Sequence, residues 1–122
     1  PTPDVRTVAE LFGHTMEAQY AYCFNVKGGV NPAAGKSFEK TVTDKAAVEQ
    51  MVKEAFAYCD DAYASLTDAK AIELITMGVA PNQRQASRAN QLAQLIVHGN
   101  EHYGNLVTYM RIKGIVPPSS AQ

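Results

Sequence analysis

The stretch His98-Gly99-Asn100-Glu101-His102 lies within the longest helical pattern of this sequence, which extends over residues 83–113. Residues four positions apart on a helix lie on one face about a turn apart, so both imidazoles point the same way. The face that carries them is largely apolar and consists of Leu95, His98, His102, Leu106 and Tyr109. The pattern predicts a long helix that directs two histidines into the interior of a helical bundle.

Two other helical patterns precede this one. Apolar residues recur every three or four positions over residues 5–26, where Thr2 or Asp4 is placed to cap the first turn. A second pattern with the same spacing covers residues 43–66 and begins with a capping Thr-Asp pair. The connector between them, residues 27–43, is rich in glycine and long enough to run the length of a bundle.

The remaining segments contain turns rather than sheet. Residues 67–77 are predicted to form a further helical turn or two before a break at residues 78–82, and Gly114 is placed as a left-handed cap of the last helix. No run alternates between apolar and polar residues in the way that a half-buried strand does. We therefore predict an all-α fold, a helical bundle that forms a single domain over residues 1–122.

Composition excludes several classes of function. The chain has 122 residues, of which 46% are hydrophobic and 19% charged, and a formal net charge of −1. This charge provides no basic surface for nucleic acid, and no apolar run approaches the roughly 20 residues that cross a bilayer. The sequence as it stands predicts a cytoplasmic protein without nucleic-acid or membrane partners, and an exported parent protein is the alternative.

The two cysteines, Cys23 and Cys59, are too few for a disulfide framework and lack the C-x-x-C spacing. Each lies on or near an apolar helical stripe, which favours two buried thiols. A disulfide that joins two helices is the alternative, and its geometry cannot be judged from the sequence.

The chain contains one histidine besides the pair, His14, at the edge of the apolar stripe of the first helix. Two histidines one turn apart on a buried face need two hydrogen-bond partners, or one shared ion, because an unpaired buried imidazole is costly. Three protein ligands with an open fourth position are typical of a catalytic metal site. His14, His98 and His102 are therefore candidate metal ligands, and the alternative is that they are packed core residues.

The segment from His98 to His102 also matches the His-x-x-Glu-His signature of one class of metalloprotease, in which Glu101 would activate water. That signature needs an acidic ligand further along the chain, and no Asp or Glu follows Glu101. A metalloprotease is therefore not expected. Glu101 is predicted either to contact a metal-binding side chain without binding the metal itself, or to face solvent.

Two longer stretches resemble the DinB-like (DinB/YfiT) family. Residues 10–20, which read ELFGHTMEAQY, are similar to the second helix of that family, where a histidine follows a leucine by three positions. Residues 98–118, which read HGNEHYGNLVTYMRIKGIVPP, resemble its fourth helix: two histidines, a stretch with tyrosine and arginine, and a Gly-Ile-Val-Pro ending. The resemblance extends over essentially the whole chain.

The resemblance implies a four-helix bundle in which three histidines hold one divalent metal, and by position these are His14, His98 and His102. Zinc or nickel is the first expectation, with manganese and iron as alternatives. Family members of known activity include metal-dependent transferases of low-molecular-weight thiols, so a small-molecule substrate, and specifically such a thiol, is the implied partner.

By this resemblance the sequence begins just before the family's second helix, so we expect the family's first helix to be missing from it. Its absence would leave an apolar groove, which is an association surface. We therefore expect a homodimer, or an N-terminal segment that is not part of this sequence. Glu101, Tyr103 and Asn105 stand where many relatives have His, Arg and Gln, so the groups around the metal ligands differ.

Two functional hypotheses follow. The first is a metalloenzyme, a transferase or hydrolase in which a thiol or water activated by the metal attacks an electrophile. Its catalytic residues are unknown; Glu17 and Asn105 are candidates for orienting ligands or substrate, with solvated surface as the alternative, and six tyrosines are available to line a pocket. The second is a non-catalytic binding or stress-response module with a structural metal or packed histidines.

Overall fold

The structure is a computed structural model that describes residues 2–78 and 80–121. Three long helices dominate it, in agreement with the predicted all-α bundle. The helices are α1 (Val8–Lys27), α2 (Phe38–Thr41), α3 (Lys45–Ala64), α4 (Asp68–Ile72) and α5 (Arg88–Ile112), joined by strands β1 (Leu74–Met77) and β2 (Arg84–Ser87) and followed by a 3₁₀ turn at Pro118–Ser120.

The first helix packs against both α3 and α5, and this arrangement divides the core into two clusters. One cluster combines residues of all three long helices: Cys23, Val26, Cys59, Ala62, Leu92 and Leu95. The other lies between α1, the connector and α3 and consists of Met16, Tyr20, Ala33, Met51 and Ala55. The buried residues recur at helical spacing because each helix presents one apolar stripe to its neighbours.

The start of α1 differs from the prediction. The helix begins at Val8 rather than Val5, and its cap is Thr7 rather than Thr2 or Asp4. The Thr7 side chain accepts from the Glu10 backbone N–H at 3.2 Å, and the Glu10 carboxylate accepts from the Thr7 backbone N–H at 2.6 Å. This reciprocal capping box satisfies two N–H groups at the helix start, which explains why the helix begins there.

A short β-hairpin corrects the prediction that the chain contains no strands. Strands β1 and β2 pair antiparallel, with Leu74 opposite Ser87 and Met77 opposite Arg84. Each has only four residues, too few for alternation to be recognised in the sequence. The predicted helical turn is present as α4, but the last helix begins at Arg88, capped by Ser87, instead of at about Gln83.

The connector is also more ordered than its glycine content indicates, because it contains α2. This short helix docks on α1 at Gly13, where a β-carbon would lie 2.5 Å from the Glu39 backbone nitrogen and 2.7 Å from the Phe38 carbonyl carbon. Such distances are far inside van der Waals contact, so only glycine permits the docking. Phe38 packs against the second core cluster and holds α2 from its other side.

The cysteines form a disulfide, so the favoured prediction of two buried thiols is wrong. Cys23 on α1 is bonded to Cys59 on α3, with 5.4 Å between their Cα atoms. Both lie in the first core cluster, so the packing of the two helices brings their Cα atoms within the range that a disulfide spans.

Two further predictions concern the ends and surfaces of the bundle. Gly114 follows α5 with φ of +70°, the left-handed conformation predicted for it. Over the described ranges, 2–78 and 80–121, no helix has both the length and the apolar character that a membrane crossing requires. The predicted homodimer stays a prediction.

Candidate metal centre

The three histidines come together at the interface between α1 and α5. His98 and His102 lie one turn apart on α5, with 4.5 Å between their ring centroids, and His14 on α1 faces both. Its ring centroid is 5.2 Å from that of His98 and 4.8 Å from that of His102. One candidate ligand nitrogen from each of the three lies within 4.8 Å of the other two.

His102 is buried and oriented by a neighbour on its own helix. Its Nδ1 lies 3.1 Å from the Asn105 side-chain oxygen, which can only accept, so Nδ1 carries the proton and donates. The lone pair of His102 is then on Nε2. That atom is buried and has no hydrogen-bond partner among the described residues, and the same is true of Nε2 of His98.

His14 is oriented by a carboxylate from the connector. Its Nδ1 lies 3.0 Å from Oε2 of Glu39, and the other carboxylate oxygen accepts a 2.8 Å hydrogen bond from Nε of Arg6. With the proton on Nδ1, the Nε2 lone pair of His14 is available to a ligand. Histidines that bind metals usually donate their other N–H to a carboxylate or a carbonyl group, as His14 and His102 do.

The electrostatics of the cluster favour a neutral His98 and an ionised Glu39. Burial, followed by the proximity of His102 and His14, lowers the pKa of His98 below its usual value. The hydrogen bond from Arg6 lowers the pKa of Glu39. Neutral imidazole is the form that coordinates a metal, whereas protonated imidazole cannot.

The residues present fit a divalent metal ion. Three imidazole nitrogens are a donor set that suits zinc, nickel, copper or iron, and two of them are buried without a hydrogen-bond partner in residues 2–78 and 80–121. At Zn–N distances of about 2.0–2.1 Å, nitrogens on one tetrahedral ion lie about 3.3 Å apart. Small movements of the rings would bring the three histidine nitrogens to that separation. Three ligands would leave at least one position for solvent or substrate.

Asn105 and Glu17, which the sequence suggested as residues that orient ligands or substrate, make different contacts. Asn105 contacts His102, as an orienting residue should. Glu17 acts on the connector instead: its Oε1 accepts from the Glu39 backbone N–H at 3.0 Å and so holds α2 in place. Glu101 is exposed, in agreement with one of the two positions expected for it.

The tyrosines do not form a continuous pocket lining. The Tyr22 ring lies near His98, with 6.3 Å between centroids. Tyr20 and Tyr58 pack together around the second core cluster. Tyr103 accepts a hydrogen bond from the Ser119 backbone, and Tyr109 donates to the Arg6 carbonyl, so both serve to attach the ends of the chain.

Two apolar grooves flank the first turns of α1 without including the histidines in their walls. The larger, of about 990 Å³, lies between α1 and α3 and is bordered by Phe12, Val48 and Val52, with Glu39 at its edge. The smaller, of about 740 Å³, lies between α1 and the end of α5. The three candidate metal ligands therefore lie next to the grooves rather than inside them.

Sequence reasoning missed three residues of this site: Arg6, Gly13 and Glu39. The one available signal was indirect. A metal-binding histidine usually needs a partner for its second nitrogen, so a carboxylate near His14 could be expected, but nothing in a glycine-rich connector identifies which one.

Comparison with known proteins supports the resemblance seen in the two histidine-bearing stretches. Residues 1–106 match the family model described as the DinB superfamily. No curated protein and no solved structure shows a significant match to the chain. The match includes His14, His98 and His102.

Proposed function

The chain belongs to the DinB superfamily, and from this premise we propose that His14, His98 and His102 hold one divalent metal ion. The observation that carries the proposal is the pair of buried Nε2 atoms on His98 and His102, which have no hydrogen-bond partner in the part of the chain that the structure describes. A buried polar atom without a hydrogen bond is costly, and a shared ion between the histidines would satisfy both atoms. Zinc or nickel is the proposed metal, since imidazole suits both.

We further propose that the site is that of a transferase or hydrolase acting on a small molecule. A bound divalent ion would lower the pKa of a thiol or of water and thereby supply a nucleophile at neutral pH. The chain's own contribution is to bring three imidazoles together and to fix two of them. Asn105 fixes the ring of His102, and Glu39 fixes that of His14.

The test is a screen for thiol transfer by protein loaded with zinc or nickel. A panel of low-molecular-weight thiols would be combined with small electrophiles, and loss of free thiol would be followed over time. The His98→Ala/His102→Ala variant is the matched control because it retains His14 and the rest of the chain.

We expect thiol consumption that depends on metal and is lost in the double variant. A parent protein that holds its metal and shows no turnover with thiols, and no hydrolysis of activated esters, would contradict the enzyme proposal. It would favour a non-catalytic module with a structural metal.

A further inference from the structure

We propose that Glu39 is a positioning residue of the metal centre, and that through it α2 and the metal stabilise each other. The inference rests on the proposed function, because it requires a metal on His14. It assigns a role to the connector, which supplies none of the three candidate ligands.

The contact between Glu39 and His14 has the geometry of an orienting carboxylate. Oε2 of Glu39 lies 3.0 Å from Nδ1 of His14, and Nε of Arg6 lies 2.8 Å from Oε1. Each carboxylate oxygen thus has its own partner, so the group has little freedom to rotate. A fixed carboxylate holds the imidazole in one tautomer, increases its basicity and directs Nε2 towards the other two histidines.

The backbone of Glu39 is held by the same face of α1 that carries His14. The Glu17 side chain accepts from the Glu39 backbone N–H at 3.0 Å, and Gly13 allows the backbone of α2 to approach closely. Residues 13 and 17 are one turn apart, with His14 beside them on the same helix. One turn of α1 therefore provides both the ligand and the support for the group that orients it.

This arrangement has a thermodynamic consequence. If docked α2 increases the affinity of His14 for metal, bound metal must stabilise the docked position of α2 by the same factor. Much of α2 is exposed, and the backbone N–H groups of residues 40–42 donate only to the nearby carbonyl groups of Ser37 and Phe38. We therefore expect its amides to exchange measurably without metal and to become protected when metal binds.

The experiment compares the parent with Glu39→Gln and Glu39→Ala, using zinc and a chromophoric chelator to measure affinity by competition. Glu39→Gln keeps an oxygen that can accept from His14 but lacks the negative charge. Glu49→Gln is the matched control, since Glu49 is a carboxylate beside the same groove that pairs with Lys45 instead of with a histidine.

We expect zinc affinity to fall about 10- to 100-fold in Glu39→Ala, with Glu39→Gln intermediate and Glu49→Gln equal to the parent. The melting temperature of the metal-free Glu39→Gln variant should remain close to that of the parent, which separates positioning from a general structural role. The absorption spectrum of bound cobalt should change in the Glu39 variants only. In hydrogen exchange, zinc should protect the amides of residues 39–42 in the parent and fail to do so in Glu39→Ala.

Equal zinc affinity in the parent and both Glu39 variants would overturn the inference, as would an equal loss in Glu49→Gln. Failure of the parent itself to bind zinc, nickel or cobalt is a different result. It would overturn the proposed function before any variant is compared.

Discussion

The two halves of α1 differ in the contacts that they make. The first half carries Gly13 and His14 and makes polar contacts with the connector, beside the buried side chains of Leu11 and Met16. The second half carries Cys23 and Val26, both essentially inaccessible to solvent, and is held by apolar packing and a disulfide to α3. The difference teaches that the disulfide and the candidate metal site are located in separate parts of one helix, so removal of the disulfide should have little effect on metal binding.

Removal of the disulfide should have the largest effect on stability. The bond joins residues 36 positions apart, and loss of a cross-link of that length lowers the free energy of unfolding by about 4 kcal/mol in the chain-entropy treatment. We expect Cys23→Ala/Cys59→Ala to show this decrease in denaturant unfolding, with zinc affinity within about twofold of the parent. A variant that lost its metal affinity while still folded would show that the two halves of α1 are coupled.

Gly13→Ala should lower the free energy of unfolding by less than removal of the disulfide does, but it should also lower the affinity for zinc. The added β-carbon would meet the backbone of Phe38 and Glu39, so α2 must move away. Overpacking of this kind costs about 1–3 kcal/mol, and displacement of Glu39 should also weaken zinc binding. Denaturant unfolding and chelator competition measure the two quantities on the same sample.

Gly104→Ala on α5 is the matched control for this substitution. An added β-carbon at Gly104 meets nothing within 4 Å, so the variant should gain up to about 1 kcal/mol from helix propensity and keep its zinc affinity. If Gly13→Ala behaved like Gly104→Ala, close docking of α2 on α1 would be contradicted.

The parts of the fold that the sequence predicts are those that local periodicity encodes. The three long helices follow from apolar residues at helical spacing, and the pair His98 and His102 follows from a separation of four positions. His14 was grouped with that pair because it is the one other histidine and lies at the edge of an apolar stripe, and the family resemblance implied the same group. The structure brings its ring centroid within 5.2 Å of those two.

The parts that the sequence does not predict depend on contacts between distant segments. Glu39 is 25 positions from His14, in a connector without periodicity, and the two cysteines are 36 positions apart. Helical spacing places Cys23 and Cys59 on apolar stripes but does not determine how α1 and α3 align with each other. The β-hairpin was missed for a different reason, since strands of four residues provide too little pattern to distinguish them from a loop.

The most direct test of the central claim is the metal content of the untagged protein, measured by elemental mass spectrometry beside the His98→Ala/His102→Ala variant. The account predicts close to one divalent ion per chain in the parent, as purified or after incubation with zinc or nickel, and none in the variant. No retained metal in the parent, even after incubation with zinc, nickel or manganese, would contradict it and leave three histidines that are only packed together.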